Sequence, residues 1–522
     1  MAQTLSVRSR SRKATRDKLL LHKPSGAFDL RVQRVGPDRF GVVAVDCAKQ
    51  RSKWMLCDFF GRILLPPAVL EHNATAFHAA LDALRAAVRE HQLGDVLVAV
   101  ERTGNYHRPP LRAFRDAGYD TRIVHPFASS QFRQVEHPDD KTDDHDLGGI
   151  HRAAVVGFGL VETPLEEPYR SLRLLVRHRR DLVQKNAAVQ CQIREHLEAT
   201  LPGFATLFDD DKFWNASLAM PLARRVDSPD AMRRLGADAI MRLLDDAGVR
   251  YQRRTIDKVV AWAEHAAPAE PDAALRLRIL AELDDDRISK KCLISSLEID
   301  IAALLAQTPY LLLLAIPGLN VVSAAEFAAE AGPITLYANP SAITGRAGLF
   351  PSRYQSDSVD VHGKMVRCAN RRLRAALLMI ADNLLCVNRY FRGLAALWKQ
   401  RHVDARLGRV RVAKRFSRLA FAFVAGRQIV PHPCCREPHY ILDKLLAFHL
   451  QHHTTLEQTR EQLAAAADQL PAAARVPEGN ALQQRLGELR RARRPQVQKI
   501  GDILTEVLAK LLATTVQSAS EV

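Results

Sequence analysis

Phe40-Gly41-Val42-Val43-Ala44-Val45-Asp46 is a β-branched, apolar run that stops at a carboxylate. Such a run reads as a buried strand. A carboxylate at its end is costly to desolvate unless it has a partner or a task. Working outward, Trp54 to Phe60 and Arg62 to Leu65 read as two further strands, so the chain opens as an antiparallel meander. A helix follows through Thr75 to Gln92. A second apolar run, Asp95-Val96-Leu97-Val98-Ala99-Val100, also ends in an acid, Glu101. The turn-forming Arg102-Thr103-Gly104-Asn105-Tyr106-His107 leads into a helix through Leu111 to Gly118, and Thr121 to Val124 is the next strand. The alternation predicts an α/β domain.

Lys141-Thr142-Asp143-Asp144-His145-Asp146 reads as a helix start, with Thr142 as N-cap and Asp143 and Asp146 on one face. Acids in a first turn commonly just offset the helix dipole, which is the plainer account of this pair taken alone. Two like charges held so close also suit a hard divalent cation such as Mg²⁺. With Asp46 and Glu101 at strand ends, the four acids can converge at the edge of a sheet. A two-metal phosphoryl-transfer site needs that kind of arrangement, with ions roughly 4 Å apart. Asp139, Asp140 and Asp144 lie close by and show how readily such sets arise by chance.

Composition bounds the partners. At 522 residues the chain exceeds what one core usually serves, predicting two or three domains. No apolar run reaches the roughly eighteen residues of a membrane-spanning helix, so no membrane is expected among the partners. Residues 1–36, which include Ser6-Val7-Arg8-Ser9-Arg10-Ser11-Arg12-Lys13, lack the apolar centre of a secretory signal and read as a basic flexible arm. Lys and Arg total 75 against 58 Asp and Glu, a net charge of +17 that favours a polyanion, nucleic acid before an anionic membrane surface. The eight cysteines show no framework spacing, as in a reducing cytosol.

Asp46-Cys47-Ala48-Lys49, Glu101-Arg102-Thr103-Gly104-Asn105-Tyr106 and Lys141-Thr142-Asp143-x-x-Asp146 resemble the three acidic motifs of the DEDD insertion-sequence transposases, the family numbered one hundred and ten. Leu147 stands where that family usually has Ala. The resemblance implies a RuvC-like, ribonuclease H-like domain over residues 37–162, binding Mg²⁺ through Asp46, Glu101, Asp143 and Asp146. Residues 163–306 are rich in Arg, Leu, Ala and Glu. Tyr169 to Leu201 and Leu275 to Leu305 are long enough for extended helices, either antiparallel coiled-coil partners or part of an ordinary bundle. The resemblance favours a coiled-coil linker used in protomer association. The acid runs Asp209-Asp210-Asp211 and Asp284-Asp285-Asp286 read as solvated turns.

Residues 307–428 are the expected serine transposase domain, mainly α-helical. Ile316-Pro317-Gly318-Leu319-Asn320 opens a small-residue helix. It is either a phosphate-contacting turn or a plain helix-loop-helix connection, and Asn320 stands where the family usually has a second Gly. Arg346-Ala347-Gly348-Leu349-Phe350-Pro351-Ser352-Arg353-Tyr354-Gln355-Ser356-Asp357-Ser358 resembles the family's C-terminal motif, in which a serine attacks DNA and becomes joined to a phosphate. Counting from Pro351 assigns that role to Ser356, with Ser358 open because Asp357 replaces the usual Gly. Without the resemblance these serines read as ordinary loop residues.

Residues 366–418 then hold fourteen basic side chains against Asp382 and Asp404. Arg367, Arg371, Arg372, Arg374, Lys414 and Arg415 are candidates for nucleic-acid contacts. Tyr390, Phe391 and Trp398 suit either base stacking or core packing. The remainder, residues 429–522, reads as a helical extension with no legible task. Within it His432-Pro433-Cys434-Cys435, with His439 close by, has metal-capable side chains but matches no common zinc spacing.

Together these features lead to the expectation of a bacterial, cytoplasmic, nucleoid-associated DNA transposase or recombinase. The resemblance implies a homo-oligomer, dimer or tetramer, guided by a non-coding bridge RNA. Ser356 would complete a composite site with the acidic domain of another protomer. The rivals are a RuvC-like junction nuclease using the same acids with water, an actin-like ATPase, and a non-catalytic scaffold. The ATPase reading lacks a Gly-rich phosphate loop after the first strand.

Overall fold

The computed structural model describes residues 26–162, 164–208, 212–357, 359–437 and 439–470. Most of the basic arm, Asp209-Asp210-Asp211, Ser358 and the chain from 471 onward lie outside these. The chain forms two compact units, residues 1–164 and 165–522.

In the first unit a short helix α1 (Asp29–Val35) precedes three antiparallel strands, β1 (Phe40–Cys47), β2 (Arg51–Asp58) and β3 (Ile63–Glu71). Helix α2 (Ala74–Glu90) crosses to β4 (Asp95–Glu101), which pairs parallel with β1. Helix α3 (Arg108–Asp116) crosses to β5 (Asp120–Val124), parallel to β4. Helices α4 (Pro126–Glu136) and α5 (Asp143–Val155) follow, and β6 (Gly159–Val161) closes the edge antiparallel. The order β3-β2-β1-β4-β5-β6 makes a mixed α/β sheet consistent with a ribonuclease H-like fold.

Side-chain alternation covers both faces of this sheet. Val43 and Val45 pack with Leu84, Leu111 and Phe114 on one side. Val42 and Ala44 pack with Leu147 and Ile150 of α5 on the other.

Three details differ from the sequence reading. Asp29–Val35, read as part of the arm, is helical, and Arg31 docks it by ion pairs to Asp95 and Asp120. Strand β3 runs on to Glu71 through Pro66 and Pro67, because an edge strand has free backbone positions where no N–H is required. Helix α4 was not expected at all.

In the second unit α6 (Tyr169–Thr200) is followed by shorter helices α7 (Ala219–Ala223), α8 (Pro229–Asp246) and α9 (Arg253–His265), and then by α10 (Ala273–Ala306). Helices α6 and α10 pack along each other. They run antiparallel, since Arg179 pairs with Glu298 while Arg276 lies in the field of Glu195. One core, with Ile193, Phe204, Phe213 and Leu280, forms where α7 to α9 pack against this pair. Asp284 corrects the reading of its run as a solvated turn. It is buried in α10, 3.0 Å from Arg224 and 2.7 Å from Arg287, so the carboxylate is kept by two guanidinium groups.

The second core gathers around α11 (Val321–Ala331), a helix buried almost all round. Helix α12 (Pro340–Arg346), the hairpin β7 (Pro351–Ser356) and β8 (Val359–Met365), and the helices α13 (Arg371–Val387), α14 (Arg389–Gln400) and α15 (Ala405–Gly426) follow. Helices α16 (His439–Gln451) and α17 (Leu456–Gln469) complete the described chain. No single helix among the described residues is long and apolar enough to cross a membrane.

Candidate active site

Strand parity aims the first two acids. Asp46 continues the Val42, Ala44 series, and Glu101 continues Leu97, Ala99, so both face the side of the sheet that α5 covers. The parallel register sets Val45 beside Val100, which leaves Asp46 and Glu101 as neighbours at adjoining strand ends. Helix α5 begins above them. Thr142 Oγ1 accepts the His145 amide at 3.2 Å, as an N-cap should, and Asp143 and Asp146 fall in the first turn.

Asp46 feels the other three acids, and Glu101 feels Asp46 and Asp146. Burial raises Asp46 above its ordinary range, the repulsion of Asp146 and Asp143 adds to this, and a hydrogen bond with Glu101 opposes it. Burial and the proximity of Asp46 push Glu101 up to about 7, against a hydrogen bond from Ser129. Ser129 Oγ donates to Glu101 Oε1 at 2.9 Å. That contact depends on Gly149 of α5, where a Cβ would stand 2.5 Å from the Ser129 carbonyl oxygen.

Two cations border the acids. Arg133, buried on α4, sits with Nε 2.7 Å from Asp146 Oδ1, and its Nη1 donates to the Asp140 carbonyl at 3.0 Å. Lys53 is paired across from Asp46 in the β1–β2 ladder and lies 2.6 Å from Asp144. Sequence reasoning missed Ser129, Arg133 and Lys53. The signal for α4 was Pro126 directly after a capping His125, whose Nδ1 accepts the Phe127 amide.

Asp46, Glu101 and Asp146 are half-buried and Asp143 is exposed. Their oxygens are not gathered within 4.8 Å as one set, so a hard divalent cation, which takes oxygen donors of this kind, would have to draw them together and would offset their mutual repulsion. Asp46, Glu101, Asp143 and Asp146 are the residues that would hold it.

Ser356 stands in a different setting. It is the last residue of β7, in register with Val359 of β8, and every residue of that strand is exposed. Asp357 has φ +47, the left-handed conformation that Gly adopts freely and Asp tolerates. The Gly-to-Asp departure is therefore compatible with the same turn. Among the described residues the Ser356 hydroxyl has no hydrogen-bond partner. On the charged face Arg353 bonds Asp360 through two nitrogens, at 2.8 and 2.7 Å. Arg374 holds the hairpin root, donating to the carbonyls of Ala347 at 2.8 Å and Val366 at 2.6 Å. Its guanidinium is thus engaged internally, unlike those of the exposed Arg367, Arg371 and Arg372.

On α15, Arg411 and Arg415 both lie over the Trp398 ring at 5.8 Å, while Lys414 is half-buried. Phe391 is fully buried and belongs to the core. Asn320 caps α11 in a reciprocal pair with Ser323, so one N–H of the Pro-Gly turn helix is already satisfied.

A transposase model of the DEDD IS110 type matches residues 43–202. The model of the transposase IS116/IS110/IS902 family matches residues 310–395. The first span contains all four acids and the second contains Ser356. No curated protein matches the chain.

Proposed function

The chain belongs to the IS110 family of DEDD transposases, and from that premise we propose that it cuts and rejoins DNA with two chemically distinct parts. Asp46, Glu101, Asp143 and Asp146 hold a divalent cation, Mg²⁺, and Ser356 supplies the hydroxyl that attacks the DNA phosphate. The metal, when bound, lowers the cost of an oxygen anion on the attacking or leaving group. The residues of the chain do the positioning. Strand ends fix Asp46 and Glu101, the capped first turn of α5 fixes Asp143 and Asp146, and Ser129 orients Glu101. The observation that supports this reading is that Asp46 and Glu101 are neighbours at adjoining strand ends and both lie in the field of Asp146, with Asp143 acting on Asp46 as well.

A serine hydroxyl is a poor nucleophile by itself and needs a base or a metal-rich neighbourhood. We assign that neighbourhood to the acidic domain of another protomer, with α6 and α10 serving as a coiled coil in protomer association. Residues 37–162, 163–306 and 307–428 are the corresponding domains. The exposed Arg367, Arg371, Arg372 and Arg415, with Lys414, contact the phosphate backbone, and sequence is read by a paired non-coding RNA in the bacterial cytoplasm.

The test is a covalent adduct. The full-length protein, incubated with its element ends, RNA and Mg²⁺, is expected to yield serine-linked DNA, and Ser356→Ala to yield none. Adduct persisting in Ser356→Ala would move the nucleophile, with Ser358 next. Intact strand cleavage in Ser356→Ala together with its loss in Asp46→Ala would establish the junction-nuclease reading instead.

A further inference from the structure

Outside the acidic site, one set of side chains brings metal-capable donors together. His432, Cys434 and Cys435 place one donor atom each within 4.8 Å of one another, and no other such set occurs among the described residues. His432 Nδ1 lies 2.9 Å from Cys434 Sγ, and Cys434 Sγ lies 3.5 Å from Cys435 Sγ. Both cysteines are free thiols. In a tetrahedral zinc site with Zn–S near 2.3 Å, two sulfurs stand about 3.8 Å apart, so the sulfurs are already spaced close to a shared ion's requirement. The Cys434 amide donates to His432 Nδ1 at 3.2 Å, so that nitrogen carries no proton and would exchange this hydrogen bond for a bond to the metal. Cys434 is buried, while His432 and Cys435 are half-buried, so the cluster has both a dry side and a way in.

The loop is also keyed to the fold on both sides. Asn388 Nδ2 donates to the carbonyls of Cys434 and of Pro317, each at 3.0 Å, and the Arg436 amide donates to Ala315 O at 2.8 Å. Beyond it, Lys444 of α16 donates to the carbonyls of Leu314, Ile316 and Leu319. The segment leaving α15 is thus pinned to residues about the Pro-Gly turn at Cys434 and again just beyond the thiol and imidazole cluster, at Arg436 and Lys444.

We propose that His432, Cys434 and Cys435 form a three-donor Zn²⁺ site, its fourth position left to water, that fastens the 430–437 loop onto the Pro317-Gly318 turn. The mixed nitrogen and sulfur donors suit zinc and exclude Mg²⁺, so the site is independent of the acidic one.

The test measures metal in full-length protein purified under reducing conditions without chelator. About one equivalent of zinc per chain is expected. Replacement by Co²⁺ should give a thiolate-to-cobalt charge-transfer band in the near ultraviolet. Both signals should vanish in a Cys434→Ser, Cys435→Ser chain and persist in Cys368→Ser, which alters an exposed thiol elsewhere. Should the double variant fold poorly, the wild-type chain gives a second readout. Stripping zinc with a chelator should speed tryptic cleavage after Arg436 at least several-fold, and restoring zinc should reverse it. Three results would each overturn the proposal: a wild-type chain with neither zinc nor a cobalt band, a band that survives in the double variant, or Cys434 and Cys435 recovered as a disulfide.

Discussion

The acids and the serine occupy opposite kinds of surface. Asp46 and Glu101 end two central strands, face a covering helix, and are held by a β-ladder, a capped helix start and the hydroxyl of Ser129. Ser356 ends a strand of an exposed two-stranded hairpin, and a hairpin of that size is marginal without support. Groups that must hold a small cation need fixed mutual distances, which packed strand ends provide. If Ser356 is the nucleophile proposed above, it must reach a long polyanion, and the exposed hairpin gives it access. Arg374 reconciles the two demands by anchoring the hairpin root while leaving its tip exposed.

The sharpest way to break the contrast is to remove one member from each side. Asp46→Asn and Ser356→Ala should each lower strand transfer by roughly three orders of magnitude or more, measured on labelled element ends. They should differ in stability. Ser356→Ala should leave unfolding free energy within about 0.5 kcal/mol of the parent, as surface changes usually do. Asp46→Asn should raise the melting temperature of chelator-treated protein, since it relieves buried repulsion. A drop in both variants would remove the distinction.

A steric change probes the packed side alone. Gly149→Ala should cost about 1–3 kcal/mol by forcing α4 from α5, and it should weaken Mg²⁺-dependent stabilisation through displaced Ser129. Chemical denaturation with and without Mg²⁺ would record both.

The arginines sharpen the other side. Arg374→Ala should destabilise the second unit by about 1–3 kcal/mol, because two carbonyls lose their donor. Arg371→Ala should instead leave stability unchanged and reduce the salt slope of nucleic-acid binding by about one. Equal effects from the two would erase the assignment of Arg374 to the hairpin root.

The pH response carries a definite sign. Glu101 is raised from an ordinary 4.5 to about 7, so folding favours its protonated form. Its contribution is therefore fully present below about 4.5 and is lost as pH rises through about 7. Metal-free protein should melt progressively lower across that window, and Glu101→Gln should flatten this part of the curve. Added Mg²⁺ should restore most stability at the alkaline end.

The smallest expected effect is at the turn. Asp357→Gly should be neutral or stabilising by less than about 1 kcal/mol, since φ there is already positive, whereas a β-branched residue should disturb the hairpin. Amide exchange across β7 and β8 would detect either.

The strand-ending acids, the capped D-x-x-D turn and the basic stretch were legible from residue order, because periodicity, capping and charge are local properties. Ser129 and Arg133 were not legible, since their meaning comes from α4 crossing α5 at Gly149, a contact between helices that no local pattern announces. Asp284 misled for the same reason: an acid run reads as solvated until Arg224 and Arg287, the former distant in sequence, close over it. Arg374 reads like its basic neighbours, and only the path of the backbone around Ala347 and Val366 turned its guanidinium inward. Local chemistry thus marked which residues are candidates for function here. Tertiary packing alone decided which charges are shared, buried or left for a partner, because desolvation and pairing depend on what the fold brings within a few ångströms.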